Sequence, residues 1–121
     1  MTLLFLYGTL KRGQRNHHLM AGQEFLRPAQ TAPRYRMVNV GPYPALVADP
    51  AHGIRIRGEL WQVDDAALHR LDIFEGAPQS PTEDAEFVRR TIEVEGEPGP
   101  VFGYFYCRSV AGLMDCGAEW T

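Results

Sequence analysis

Only one segment of the chain, residues 64–76, has both the length and the apolar spacing of a stable helix, and this limits the possible folds more than any other feature. Asp64 or Asp65 can cap its first turn, and Gly76 supplies a stop signal at its end. Its apolar stripe consists of Leu68, Leu71 and Phe74. The rest of the core must therefore come from shorter elements.

The other ordered segments have the pattern of short strands, separated largely by glycine and proline. They are residues 2–7, 34–40, 45–48, 54–61, 87–95 and 100–107. The last two are predicted to form a hairpin across GEPG, and Asn16 is expected to cap a short helical turn at residues 16–22. Several short strands beside one solid helix predict an α+β fold with a curled or barrel-like sheet.

The length and net charge of the chain indicate a single globular domain and argue against a nucleic-acid-binding protein. A chain of 121 residues predicts a single domain, residues 1–121, with a core that needs no disulfide. The net charge of −3 argues against a nucleic-acid partner. The apolar run at residues 3–7 is too short for a signal peptide or a membrane helix, so we expect a cytoplasmic protein with no membrane partner. In that reducing setting Cys107 and Cys116 are expected to be free thiols.

The loop after the first strand is one candidate site. Gly8 and Gly13 match the first half of a phosphate-binding P-loop, but Gln14 and Arg15 stand where lysine and serine or threonine are needed. The sequence therefore argues against nucleotide binding. Backbone N–H groups of a glycine-containing turn can still hold a carboxylate or a zwitterion, and a plain tight turn is the alternative. The basic residues of this loop are predicted to be solvated: Lys11, Arg12 and Arg15.

Metal binding is not indicated by the sequence. His17 and His18 are adjacent, and His52 and His69 fall in different elements, so the histidines lack the spacing of metal ligands. There is no Cys-x-x-Cys pair. We therefore expect no metal site, with each histidine on the surface or at a helix cap.

Glu75 is the candidate acid–base residue. It precedes Gly76 and follows Phe74, so an apolar neighbour and the negative end of the helix dipole should raise its pKa. A carboxyl group with a raised pKa can take up and release a proton near neutral pH. A solvated glutamate at a helix end is the alternative, and local sequence alone favours it.

Two sets of polar groups near the C-terminal strands need partners. Arg89 and Arg90 lie on opposite faces of their strand, so one of them should point toward the sheet interior or a cleft. Tyr104 and Tyr106 share a face, and their hydroxyl groups need hydrogen-bond partners if they are buried.

Six segments of the chain follow one another in this order: LYGTLKRGQRNH, GPYPALV, GELWQV, LHRLDIFEG, FVRRTIEV and VFGYFY. Together they resemble the γ-glutamylcyclotransferase-like (AIG2-like) family, in particular its γ-glutamylamine cyclotransferase branch. The similarity spans nearly the whole chain. Tyr-Gly-Thr-Leu and Leu-Asp-x-x-Glu-Gly are specific in combination, although each motif alone is weak.

The resemblance implies a small mixed β-barrel with flanking short helices. It also implies cyclisation of a small γ-glutamyl amine or amide, in which the α-amino nitrogen attacks the γ-carbonyl. The products are 5-oxoproline and a free amine, and no cofactor takes part. Glu75 matches the family's catalytic glutamate. The glutamyl head would be held, largely through backbone groups, by Tyr7, Gly8, Thr9 and Leu10.

One position departs from the family pattern. Phe87 stands where the family often has a tyrosine, two residues before the arginine that aligns with Arg89, so its expected role is packing. Tyr43 and Tyr106 are further candidates for lining the pocket, and the amine side of the substrate is expected toward residues 78–86. Two alternatives stay open: a binding module that kept the pocket without turnover, and an enzyme that removes a γ-glutamyl protecting group from a biosynthetic intermediate.

Overall fold

The computed structural model describes residues 1–78 and 85–121, and this part of the chain contains seven strands and one α-helix. The helix α1 spans Asp65–Glu75, and a short 3₁₀ helix spans His17–Met20. The strands are β1 (Thr2–Leu6), β2 (Glu24–Gln30), β3 (Tyr35–Asn39), β4 (Pro44–Ala48), β5 (Arg57–Val63), β6 (Phe87–Thr91) and β7 (Phe102–Tyr106). The predicted α+β class is therefore confirmed.

Five strands form one mixed sheet in the order β2-β5-β1-β7-β6, while β3 and β4 form a separate antiparallel pair. β1 lies in the middle, antiparallel to β5 and parallel to β7. The successive residues Leu4, Phe5 and Leu6 are all buried, so both faces of this strand are covered. The short apolar run at the start of the chain is thus the central strand of the sheet.

The sheet is not closed into a barrel, so this part of the predicted fold is not confirmed. The strands at its edges are β2 and β6, and just beyond them Thr31 and Val94 form an isolated bridge. Pro28 within β2 suits an edge strand, because proline has no N–H to donate to a second neighbouring strand. The sheet curls until its edges approach, but no continuous ladder joins them in residues 1–78 and 85–121.

The predicted helix is confirmed at both ends. The Asp64 carboxylate accepts a hydrogen bond of 2.7 Å from the N–H group three residues later, and Gly76 adopts the left-handed conformation with φ of 67°. Leu68 and Leu71 are buried as expected, whereas Phe74 is 46% exposed. The apolar stripe therefore ends one turn early, and the last turn of α1 faces a cavity.

Two strand predictions differ from the structure. Strand β2 has no counterpart among the predicted strands, because its side chains alternate between exposed and half-buried and include no fully buried residue. The strand predicted at residues 54–61 begins at Arg57 instead, and Ile54 is exposed. Within β5, Leu60 and Trp61 are both buried, so this strand is covered on both faces rather than half-exposed.

The hairpin near the C-terminus is confirmed, with shorter strands than predicted: β6 and β7 pair antiparallel, with Phe87 opposite Tyr106. Cys107 and Cys116 are free thiols, as expected. Residues 79–84, most of the stretch toward which the amine side of the substrate is expected, lie outside the described residues. Neither helix of the described part reaches the length and hydropathy that crossing a bilayer requires.

Candidate active site

A cavity of about 110 Å³ opens where β1 ends, between the loop that follows β1 and the last turn of α1. Both of the regions singled out in the sequence contribute to its wall. Six of the predicted site residues line it: Tyr7, Gly8, Thr9, Leu10, Tyr43 and Glu75. The chain thus brings the glycine-containing loop and the helix-end glutamate, far apart in sequence, to one site.

The loop after β1 is held in shape by the residues that follow it. The Asn16 N–H donates to the Thr9 carbonyl oxygen, and the Asn16 amide nitrogen donates to Thr9 Oγ1, both at 3.0 Å. His17 Nδ1 lies 3.0 Å from the Leu10 carbonyl oxygen. Asn16 therefore fixes this loop, whereas the predicted capping bond from its side chain to the helical turn is not made.

The loop leaves its own donors available. In residues 1–78 and 85–121, the backbone N–H groups of Gly8, Thr9 and Leu10 donate to no protein acceptor. Gly8 also lies against β4, because a Cβ atom there would come within 3.0 Å of Pro44 Cγ. A side chain at this position would push the loop away from β4. The result is a compact turn with three adjacent donors beside the cavity, which suits a negative group.

The basic residues that follow this turn make structural contacts; the prediction that they are solvated is wrong for Lys11, whereas Arg12 is exposed as predicted. Lys11 is buried, and its Nζ donates to the Trp120 carbonyl oxygen at 2.6 Å. Arg12 donates to Glu59 from its backbone N–H and from Nε, at 3.0 and 3.1 Å. Its guanidinium carbon lies 3.5 Å from the centre of the Phe25 ring. These contacts tie the loop to the sheet and to the C-terminal segment.

Glu75 has the electrostatic setting of a proton-transfer group. Burial, and secondarily the nearby Glu86 carboxylate, raise its pKa to about 7. Its carboxylate has no hydrogen bond or ion pair within residues 1–78 and 85–121. The prediction of a raised pKa is confirmed, with burial as the leading cause. A carboxyl group of this kind changes protonation near neutral pH, as an acid–base catalyst must.

One turn earlier on α1, Asp72 has the opposite setting. Arg89 donates to both of its carboxylate oxygens, at 2.9 and 3.1 Å, and the Tyr104 hydroxyl donates to Oδ1 at 2.8 Å. Arg89 is thus the inward-facing arginine of the pair with Arg90, as expected, and Tyr104 has the partner that its burial requires. The Tyr7 hydroxyl, in turn, donates to the Tyr104 carbonyl oxygen at 2.7 Å.

Comparison with known proteins identifies the family. The profile of the family described as "Gamma-glutamyl cyclotransferase, AIG2-like" matches residues 4–120 of the chain. The chain belongs to this family. The expected family is therefore confirmed over nearly the whole sequence.

Individual relatives agree with this assignment. A Vibrio cholerae protein provisionally named a gamma-glutamylcyclotransferase is 32% identical over 118 residues, which are 98% of this chain and 94% of that protein. The gamma-glutamylaminecyclotransferase of Rattus norvegicus is 38% identical over 107 residues, 83% of this chain and 71% of that protein. The crystal structure of an AIG2-like protein from Mus musculus superposes with a TM-score of 0.82 at 28% identity, covering 100% of this chain and 88% of the mouse chain.

Three aromatic residues singled out in the sequence pack together at this AIG2-like cavity. The Tyr43 hydroxyl donates to the Glu86 carboxylate, and burial together with Glu86 raises the pKa of Tyr43 to about 12. Phe87 is buried and lines the cavity with its ring. Tyr106 is not part of the cavity wall but packs behind Phe87, with 5.4 Å between the ring centres.

Glu86 and Asn16 are two of the polar residues of the AIG2-like cavity that the sequence did not single out as site residues. Glu86 lines the cavity, but it follows an acidic, proline-rich stretch in which its carboxylate has no distinguishing neighbour. Asn16 also lines it, and its position after a basic loop pointed to a helix cap instead. An asparagine eight residues after a glycine that ends a strand is compatible with either role, so the local sequence holds no signal that separates them.

Proposed function

We propose that this chain is a γ-glutamylamine-type cyclotransferase, acting as a single domain on a small γ-glutamyl amine or amide. The products are 5-oxoproline and the free amine. The observation that carries the proposal is that Glu75, with a pKa raised to about 7 and no protein partner in the described residues, shares a small cavity with the Tyr7–Leu10 loop. A cytoplasmic setting, expected from the sequence, is part of this proposal.

Substrate binding follows from the shape and donors of the cavity. About 110 Å³ is small beside the several hundred Å³ of pockets that enclose drug-sized ligands, so it suits a glutamyl head rather than a whole peptide. The N–H groups of Gly8, Thr9 and Leu10 are donors for a negative oxygen of that head. Because the loop is already fixed by Asn16, little conformational entropy is lost when the head binds.

Glu75 then supplies the proton transfers. The α-amine of the substrate is an ammonium group at neutral pH, and Glu75 as a base removes one proton so that the nitrogen lone pair can attack the γ-carbonyl carbon. The carbonyl oxygen gains negative charge as the five-membered ring closes, and backbone N–H donors of the loop stabilise it. Protonated Glu75 returns the proton to the leaving amine as the C–N bond breaks. The ring nitrogen loses its second proton, which the released amine takes up to become an ammonium group. No cofactor enters these steps.

Holding the substrate in a folded conformation is the second proposed contribution to the rate acceleration. A γ-glutamyl chain in solution is mostly extended, whereas ring closure needs the amine and the γ-carbonyl in contact. Walls on opposite sides of the cavity, the loop on one side and Phe74 with Glu75 on the other, favour the folded form.

The test is turnover on a panel of γ-glutamyl amines, with separate assays for 5-oxoproline and for the free amine. We expect both products in equal amounts from at least one substrate, and their loss in Glu75→Gln. Glu93→Gln is the matched control, because it removes an exposed carboxylate that pairs with Arg34 outside the cavity. Absence of turnover on the whole panel, or full activity in Glu75→Gln, would overturn the proposal.

A binding module is the second candidate, and Phe87 is the observation that favours it. Phe87 lines the cavity at a position where the family often has a tyrosine, so the hydroxyl group of that pattern is missing from the cavity wall. A protein that kept the pocket but lost turnover would be stabilised against heat by 5-oxoproline or glutamate and would release no amine from any γ-glutamyl substrate. Product formation in the same samples decides for the enzyme.

A further inference from the structure

Tyr104 contacts both walls of the cavity through its two ends. Its carbonyl oxygen accepts the hydrogen bond of 2.7 Å from the hydroxyl of Tyr7, the residue with which the glutamyl-binding loop begins. Its own hydroxyl donates at 2.8 Å to Asp72, one helical turn before Glu75. The loop and the helix are therefore fixed to one residue of β7.

The contact with the helix is rigid. Asp72 is buried and is gripped by Arg89 in a bidentate pair, so its carboxylate cannot rotate away from Tyr104. The Asp72 carbonyl oxygen also accepts the Ala77 N–H at 2.8 Å, which closes the helix end just after Glu75. A displacement of Asp72 would therefore also displace the last turn of α1, which contains Glu75.

We propose that Tyr104 is a positioning residue that sets the separation between Glu75 and the Tyr7–Leu10 loop. This inference rests on the proposed function and extends it, since neither Tyr104 nor Asp72 transfers a proton in the reaction described above. An intramolecular ring closure is sensitive to the placement of its base, because a misplacement of about 1 Å can cost a factor of about a hundred in rate. Tyr104, a residue of the cavity wall that is hydrogen-bonded to both the loop and the helix, is placed to hold that distance.

Tyr104→Phe tests the proposal, because it removes the bond to Asp72 and keeps the carbonyl that Tyr7 uses. We expect kcat to fall roughly 10- to 100-fold, with KM changed by less than about threefold. Tyr35→Phe is the matched control: this buried tyrosine also loses one hydrogen bond, from the Glu93 N–H at 2.9 Å, but neither Tyr35 nor Glu93 is among the described residues that line the cavity. We expect the control to keep kcat at the wild-type value.

A purely structural role predicts a different result. The two variants would then lose similar stability, and Tyr104→Phe would keep the wild-type kcat per folded molecule, which would overturn the inference. Absence of turnover in the wild-type protein would instead overturn the proposed function.

Hydrogen exchange provides a readout that does not need activity. The N–H groups of Gly76 and Ala77, which donate to Ile73 and Asp72, are expected to exchange faster in Tyr104→Phe than in the wild type or in Tyr35→Phe. Unchanged exchange at these two amides would show that Tyr104 does not hold the helix end, and would overturn the inference whatever the wild-type activity.

Discussion

The two carboxylates in the last turns of α1 have opposite surroundings. Asp72 is buried and accepts three hydrogen bonds, two from Arg89 and one from Tyr104. Glu75, three residues later, lines the cavity and has no hydrogen bond or ion pair within residues 1–78 and 85–121. Two carboxylates on one helix therefore differ in their partners: the first has protein hydrogen-bond donors, and the second, one turn later, has none among the described residues.

We interpret this difference as separating a structural carboxylate, Asp72, from the proposed acid–base residue, Glu75. The buried Asp72 carboxylate contributes to the specific fold through its partners. Removing its charge would leave the Arg89 guanidinium without a counter-charge. A carboxylate that lies in a cavity without partners lowers the stability of the folded protein. Groups of this kind are found mainly at functional sites, where a perturbed pKa is needed. Substitution at Asp72 should therefore act mainly on stability, and substitution at Glu75 mainly on turnover.

The largest expected effect is that of Glu75→Gln on turnover. We expect kcat to fall by roughly 10² to 10⁴, because the amide cannot take up or return a proton. Thermal stability should stay the same or rise, because a carboxylate disfavoured by burial is replaced by a neutral group. Product assays and thermal unfolding of the same preparation check both parts, and a variant that is less stable yet active contradicts the assignment.

Asp72→Asn should give the reverse pattern. We expect the free energy of unfolding to fall by about 2–4 kcal/mol, somewhat less than for a fully buried pair because the Arg89 side chain is 24% exposed. Turnover should fall less than in Glu75→Gln, since the base itself is intact. Urea unfolding at neutral pH measures the change. A variant with wild-type stability would mean that Asp72 is not the structural member of the two carboxylates.

The pH dependence of stability is a second way to test the difference between Asp72 and Glu75. The pKa of Glu75 is about 7 in the folded protein and 4.5 for the unperturbed group, so the folded state holds the proton more tightly. The contribution of Glu75 to the free energy of unfolding is therefore fully present below pH 4.5, and it is lost as the pH rises to about 7.

We expect the free energy of unfolding to fall by roughly 2–3 kcal/mol over that range through this group. Glu75→Gln should lack this part of the slope, and urea unfolding of both proteins from about pH 4.5 to about pH 8 measures it. In the wild type, kcat/KM should rise with pH through about 7 as the base form appears. Parallel stability curves for the two proteins would contradict the raised pKa.

The helix and its glutamate could be predicted because their signals are local. Asp64 and Gly76 mark the ends of α1 in the sequence itself, and the setting of Glu75 depends in part on residues beside it. The family motifs, read from the sequence alone, also assign the Tyr7–Leu10 loop and Glu75 to one site, and the two line the same cavity. Local chemistry and motif thus identify the main elements of the candidate site.

The contacts that hold the site in place could not be predicted, because they join distant parts of the chain. Arg12 and Glu59 are 47 residues apart, and the pattern of each alone is that of a solvated charge. The exposed edge strand β2 lacks a buried face, so periodicity gives no signal for it. The approach of the two sheet edges depends on pairing between Thr31 and Val94, which no local pattern specifies.

The smallest expected effect extends the comparison to a third carboxylate, Glu59, which is buried and partnered like Asp72. It accepts hydrogen bonds from the Arg12 N–H, from Arg12 Nε and from the Trp61 indole N–H, at 3.0 to 3.1 Å. In Glu59→Gln the amide keeps one acceptor oxygen, and the Arg12 side chain is 50% exposed, so we expect a loss of only about 1–2 kcal/mol in urea unfolding. The kcat should stay near that of the wild type, because the base and the cavity are untouched. If Glu59→Gln abolished turnover as Glu75→Gln does, the absence of partners would no longer distinguish the functional carboxylate from the structural ones.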